Sequence, residues 1–110
     1  NLGGASAAAA ADVLLCTCVG SGADSLSKIV FQAVLIDETA QSTEPSCLVP
    51  ITHGCRQLVL VGDHKQLRPT VVSDTAAERG LTLSLFERLM RSGVPPYLLD
   101  TQYRMHPSMA

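Results

Sequence analysis

The chain has no excess of positive charge. Eight Lys and Arg stand against ten Asp and Glu, for a formal net charge of −2. That excludes a global electrostatic footprint for nucleic acid, so any such site must be local. No apolar run reaches the roughly 20 residues that a membrane-crossing helix needs, and no secretory leader is visible; the expectation is a chain without a membrane partner. Charged residues make up only 16%, but 46% are hydrophobic, which excludes a disordered chain and supplies a core. Four cysteines, Cys16, Cys18, Cys47 and Cys55, fit no zinc-ligand spacing, even with His53 and His64 as partners. Cys16 and Cys18 are two apart, share one face of an expected strand, and cannot easily bridge each other. They are read as reduced, buried apolar residues, which implies an intracellular location, cytoplasmic or nuclear. Finally, no Gly-x-x-x-x-Gly-Lys-Ser/Thr run occurs, so the cradle that holds a nucleotide's phosphates is missing. Gly20-Ser21-Gly22 does not replace it, because no Lys-Ser/Thr follows in register.

What is present centres on Val34 to Gln41, reading Val-Leu-Ile-Asp-Glu-Thr-Ala-Gln. Three apolar residues running into two carboxylates describe a parallel strand buried on both faces that emerges at its carboxyl end. In open α/β sheets, chemistry sits at that edge. Asp37 is placed to hold Mg²⁺, directly or through water, and Glu38 to orient or deprotonate an attacking water. The plain alternative is a strand ending in two solvated acids.

The 110 residues are enough for one domain with a core. The chain begins at Asn1 rather than Met and is expected to be a piece of a longer protein. Residues 1–11 form an alanine-rich segment, too short to hold a helix alone. Val13 to Leu15 is expected to be a buried strand ended by Val19-Gly20-Ser21-Gly22. Thr17 and these glycines suit either contact with a phosphate backbone or an ordinary turn. After the Phe31–Asp37 strand, Ser42 to Pro45 starts a helix with Cys47, Leu48, Ile51 and Thr52 inward; Pro50 shortens it and Gly54 ends it. Leu58 to Val61 is a third strand, stopping at Gly62-Asp63-His64-Lys65-Gln66-Leu67-Arg68-Pro69, a loop dense in groups that bind phosphate. A short helix is expected at Thr75 to Arg79. An amphipathic helix follows at Leu83 to Arg91, with Leu85, Phe86, Leu89 and Met90 on one face, Ser84 as cap and Gly93 as terminator. Pro95 and Pro96 precede a fourth short strand, Tyr97 to Leu99. The order of elements argues for a parallel α/β sheet with flanking helices.

Four stretches, Thr17 to Gly22, Asp37 to Gln41, Val61 to Pro69 and Gln102 to Pro107, occur in the same order in superfamily 1 helicases, which this chain resembles from about Asp12 to its end. The similarity is greatest to the group containing the nonsense-mediated-decay RNA helicase and senataxin. One Asp-Glu is weak; four ordered motifs are specific. The resemblance implies a partial RecA-like P-loop NTPase domain over 12–100, lacking the Walker A strand, with 101–110 leading toward a second RecA-like domain. It implies ATP and Mg²⁺ as cofactors, single-stranded RNA or DNA as partner, and the rest of the helicase as a further partner. Asp37 then holds Mg²⁺ and Glu38 activates water; Gln41 links the nucleotide site to the neighbouring loop. Gln66 senses the γ-phosphate, with Asp63 bracing its loop; Tyr103 stacks on adenine, and Arg104 reaches the γ-phosphate. Thr17, Val19, Gly20 and Pro69 fall on the nucleic-acid side.

Two consequences follow from the missing cradle. Phosphoryl transfer depends mostly on positioning and charge stabilisation, so the chain alone is expected to hydrolyse ATP negligibly. The family fold puts the missing strand between those at Leu58–Val61 and Tyr97–Leu99. Three strands then pair in the order Val13, Phe31, Leu58, the Tyr97 segment is orphaned or slides into the gap, and stability is marginal. The alternatives are a truncated, non-catalytic module that binds nucleic acid or protein, and a nucleotide-binding regulator.

Overall fold

Val34 and Ile36 point to one side of their strand and Ala33 and Leu35 to the other, and this alternation decides the architecture. In the computed structural model, which describes residues 7–109, strand β1 (Ala33–Ile36) pairs in parallel with β2 (Gln57–Leu60). The register runs from Ala33↔Gln57 to Ile36↔Leu60. Helix α1 (Glu44–Ile51) connects them, and α2 (Leu85–Arg91) follows later in the chain.

The core lies on one face of this sheet. Ile36, Cys47 and Leu85 are buried together, with Cys18, Val34, Ile51, Leu58, Leu60 and Leu89 packed against them. Burial pushes the Cys47 thiol above its ordinary pKa, as expected of a cysteine serving as a small apolar residue. All four cysteines are free, but Cys16 is exposed, contrary to the expectation of burial. On the second face Leu35 is 67% exposed, and Val59 is exposed too. β1 is therefore not buried on both faces as its composition suggested, because among the described residues no layer packs on that side.

The sheet is smaller than expected. Val13 to Leu15 forms no ladder, and Val13 and Leu15 are exposed. A strand there would be an edge with nothing stacked on its outer side, so ladder bonds alone would have to offset the cost of ordering it. Tyr97, Leu98 and Leu99 are likewise unpaired, with Tyr97 96% exposed; of the two outcomes foreseen for that segment, the orphaned one is found.

The helices follow their punctuation. Pro45 sits in the first turn of α1 and Gly54 adopts φ +83° just past its end. Cys47, Pro50 and Ile51 face inward; Leu48 and Thr52, also expected there, are exposed, since the arc toward the sheet is narrow. The Ser84 hydroxyl accepts the Glu87 N–H at 3.1 Å and caps α2, and Gly93 ends it at φ +97°. The helix expected at Thr75 to Arg79 is instead one α-turn, Asp74–Ala76, that widens into a π-turn over Ala77–Leu81, where Gly80 takes φ +96°. Of the alanine-rich segment, residues 7–10 are helical and the first six lie outside the described residues.

Candidate nucleotide site

Both strands end on the same edge, and each runs directly into a polar turn. After β1 come Asp37 and Glu38. Glu38 is the only non-glycine residue with positive φ among those described, at φ 54°, ψ 34°. That conformation is costly for a side chain with a Cβ and persists only where the surroundings impose it. Here they do. The Glu38 N–H donates to Asp37 Oδ1 at 2.9 Å, and the next residue, Thr39, donates from its backbone N–H to the Val61 carbonyl at 2.9 Å. A 3-10 turn, Thr39–Gln41, then carries Gln41 back over the strand ends.

After β2, the Val61 N–H donates to the Ile36 carbonyl and Gly62 opens the second loop. A Cβ on Gly62 would stand 3.0 Å from the Ala40 nitrogen, so the two turns touch. Within this loop Asp63 is the organiser. Its Oδ1 accepts the Lys65 N–H at 2.9 Å and its Oδ2 accepts Gln66 Nε2 at 3.4 Å. The Lys65 N–H does most to hold the Asp63 carboxyl below the usual range, with the Gln66 bond and the nearby His64 and Lys65 charges adding to it. Asp63 thus stays an acceptor that braces the turn.

Gln41 joins the two halves. Its Nε2 donates to Glu38 Oε2 at 3.4 Å and to Gln66 Oε1 at 3.3 Å. A continuous side-chain path therefore runs Glu38, Gln41, Gln66, Asp63 across the sheet edge. These bonds are long for their type, as is common in sites that tighten only around a ligand. Asp37 and Glu38 are both exposed. Among the described residues, no group of three or more His, Cys, Asp and Glu is close enough to hold a metal alone. Such a pair of acids suits a Mg²⁺ ion whose other ligands are phosphate oxygens and water.

The other sequence-derived residues take no part in that path. Tyr103 and Arg104 are exposed on the segment after Gly93, which forms no strand. The local turn there is closed by Gln102, which exchanges two hydrogen bonds with the Met105 backbone. The Thr17 hydroxyl accepts the Gly20 N–H at 3.0 Å, shaping the turn before Gly20–Gly22, while Val19 is exposed. Pro69, expected on the nucleic-acid side, is buried; its neighbours Arg68 and Thr70 are exposed. Arg68 donates to Glu87 at 2.8 Å and so ties this loop to α2.

Two residues were given no site role from the sequence. Thr39 is 0% exposed and anchors the first turn. His53 places Nδ1 2.9 Å from the Ile29 carbonyl and Nε2 2.7 Å from the Ser21 carbonyl, with its ring edge-on to Phe31. It rivets three segments beside a groove of about 420 Å³ that separates 14–18 from β1. No sequence spacing flagged either, because their partners are distant in the chain.

Comparison with known proteins bears on this geometry. A sequence profile for the family described as AAA domain matches residues 5–74. The chain is 55% identical over 101 residues to the regulator of nonsense transcripts 1 homolog of Drosophila melanogaster, covering 92% of this chain and 9% of that protein. It is 56% identical over 102 residues to the regulator of nonsense transcripts 1 of Caenorhabditis elegans, covering 93% and 10%. It is 51% identical over 100 residues to the ATP-dependent helicase NAM7 of Saccharomyces cerevisiae, covering 91% and 10%. The chain therefore spans about a tenth of the length of the curated relatives it matches.

Proposed function

This chain belongs to the AAA domain family, and on that premise we propose that it is part of an ATP-dependent helicase motor that couples ATP hydrolysis to movement along single-stranded nucleic acid. The observation that carries the reading is the side-chain path Glu38–Gln41–Gln66–Asp63 across two parallel strand ends. It links a carboxylate suited to activating water with an amide suited to sensing a γ-phosphate, so each can report on the other. Relatives named ATP-dependent helicase and regulator of nonsense transcripts support ATP as the nucleotide and RNA as the strand.

In this scheme Asp37 holds Mg²⁺ directly or through water, and the ion when bound neutralises charge on the phosphate oxygens. Glu38 accepts a proton from the attacking water or aligns it. Gln66 hydrogen-bonds the γ-phosphate, Asp63 fixes Gln66, and Gln41 passes displacement between the two loops. Tyr103 stacks on adenine and Arg104 reaches the γ-phosphate once their segment is seated. Thr17, Val19, Gly20 and the exposed residues flanking Pro69 meet the nucleic-acid backbone, largely without regard to sequence. The protein acts in the cytoplasm or nucleus. Residues 1–110 alone hydrolyse ATP negligibly, since nothing in them cradles the phosphates.

The test is ATPase activity of this chain and of one extended through its gene in both directions, with and without single-stranded RNA. The expected result is a silent short chain and an RNA-stimulated long one, inactivated by Glu38→Gln with ATP binding retained. Hydrolysis by the short chain contradicts the role given to the cradle, and a silent long chain favours the binding module.

A further inference from the structure

We propose that Thr39 is a positioning residue for hydrolysis, its buried hydroxyl fixing the Glu38 carboxylate relative to the Asp63–Gln66 loop; this rests on the ATPase reading above. The Thr39 side chain is 0% exposed. Its Oγ1 donates to the Val61 carbonyl at 2.9 Å, and its backbone N–H donates to that same oxygen at 2.9 Å. Val61 in turn donates its N–H to the Ile36 carbonyl at 2.9 Å. Val61 is thus held on one side by the residue before Asp37 and on the other by the residue after Glu38.

The next two residues after Val61 are Gly62 and Asp63, the start of the loop that carries Gln66. One backbone bond alone would let the Thr39 peptide swing about the donor–acceptor line. A second donor from the same residue onto the same oxygen removes that freedom. Glu38, strained at φ 54°, has its backbone defined by this anchor on one side and by Asp37 on the other. Gly62 confirms how tightly the anchor is seated: a Cβ there would lie 3.0 Å from Thr39 Oγ1 and 3.0 Å from the Ala40 nitrogen. The hydroxyl therefore does more than fill space. It sets the aim of a side chain whose tip is exposed and which nothing else at the strand ends orients, apart from a long 3.4 Å bond from Gln41.

The experiment uses the extended chain, with ATP turnover and the binding stoichiometry of a fluorescent non-hydrolysable ATP analogue measured together. The stoichiometry counts folded sites, so turnover is expressed per site. Thr39→Val keeps the shape and the backbone bond but removes the hydroxyl. It is expected to lower kcat about tenfold, the scale of a small misplacement of a reacting group, with KM for ATP within about twofold. Thr39→Ser keeps the hydroxyl and is expected to restore most of kcat. Gly62→Ala presses on the anchor from the opposite loop and is expected to give the same selective loss of kcat; it carries the test if Thr39→Val does not fold. Wild-type turnover per site in Thr39→Val, or in Gly62→Ala in its place, overturns the proposal. So does an equal loss in Thr39→Ser and Thr39→Val. An unsubstituted extended chain that binds the analogue yet hydrolyses no ATP overturns the ATPase reading instead.

Discussion

Glu38 occupies the least comfortable backbone position among the described non-glycine residues, and that discomfort makes a prediction independent of catalysis. Asn adopts the left-handed region readily, whereas a β-branched residue does not. Glu38→Asn is expected to leave stability within about 0.5 kcal/mol, and Glu38→Val to lower it by roughly 1–2 kcal/mol. Urea denaturation of the two variants in the extended chain checks this; equal stabilities would mean that the turn relaxes to an ordinary conformation. The acids themselves were legible in the sequence, because an apolar run meeting Asp-Glu marks a strand leaving its sheet. The turn was not. Nothing at position 38 signals positive φ, and Thr39 looks like any loop threonine until Val61 is brought beside it by the pairing of the two strands.

At the scale of elements, α2 depends on its cap. Ser84 is buried and its hydroxyl satisfies the Glu87 N–H, so Ser84→Ala is expected to cost about 1 kcal/mol, read in the extended chain as a lower urea midpoint with an unchanged slope. The two helices are tied by Arg88, which donates Nε to Glu44 Oε2 at 2.8 Å and Nη2 to Glu44 Oε1 at 2.6 Å. The Arg88 hydrogen bonds, aided by its charge, hold the Glu44 carboxyl below its ordinary 4.5. A depressed folded value means that the pair stabilises fully above that ordinary range and loses its effect as pH falls through the folded value. In the extended chain Glu44→Gln is therefore expected to lower Tm at neutral pH, with the difference from the parent closing as the solution is made more acidic than 4.5. A gap that persists in acid would assign the effect to packing. Caps and stops were readable from Pro45, Gly54, Ser84 and Gly93 because each acts within one turn of chain. The Val13 and Tyr97 strands were overcalled for the opposite reason: a strand needs a neighbour and a cover, and apolar composition supplies neither.

For the whole molecule, size and surface agree that folding is incomplete over these residues. The radius of gyration is 16.5 Å, against about 13 Å for a compact domain of this length. The accessible surface is 8658 Å², against about 5,800 Å² for a compact protein of this mass. Leu35, Val59 and Val61 on the uncovered side of the sheet, with Leu15 and Tyr97 beyond it, account for part of that excess. The 110-residue chain is expected to bind an apolar dye such as ANS and to unfold over a broad, low-temperature range; the extended chain is expected to lose the dye and unfold cooperatively. A sharp transition at high temperature in the short chain would contradict this account. The parallel sheet edge was readable in the sequence from two strands that each end in a polar loop. Its one-sided cover was not, because Val34-Leu35-Ile36 is composed for two apolar layers and the described residues supply one.

The pairing of β1 with β2 also has a consequence in time. Both strands and the helix between them fall within one unbroken stretch, 33–60. Their loop closes over a short span, so bringing the two strands together costs little chain entropy. Leu85, the third buried member of the core, comes from outside that stretch, so the pairing is secured only once α2 packs on it. The strand-end acids therefore gain a lasting geometry only after the residues through Arg91 have been added to the chain.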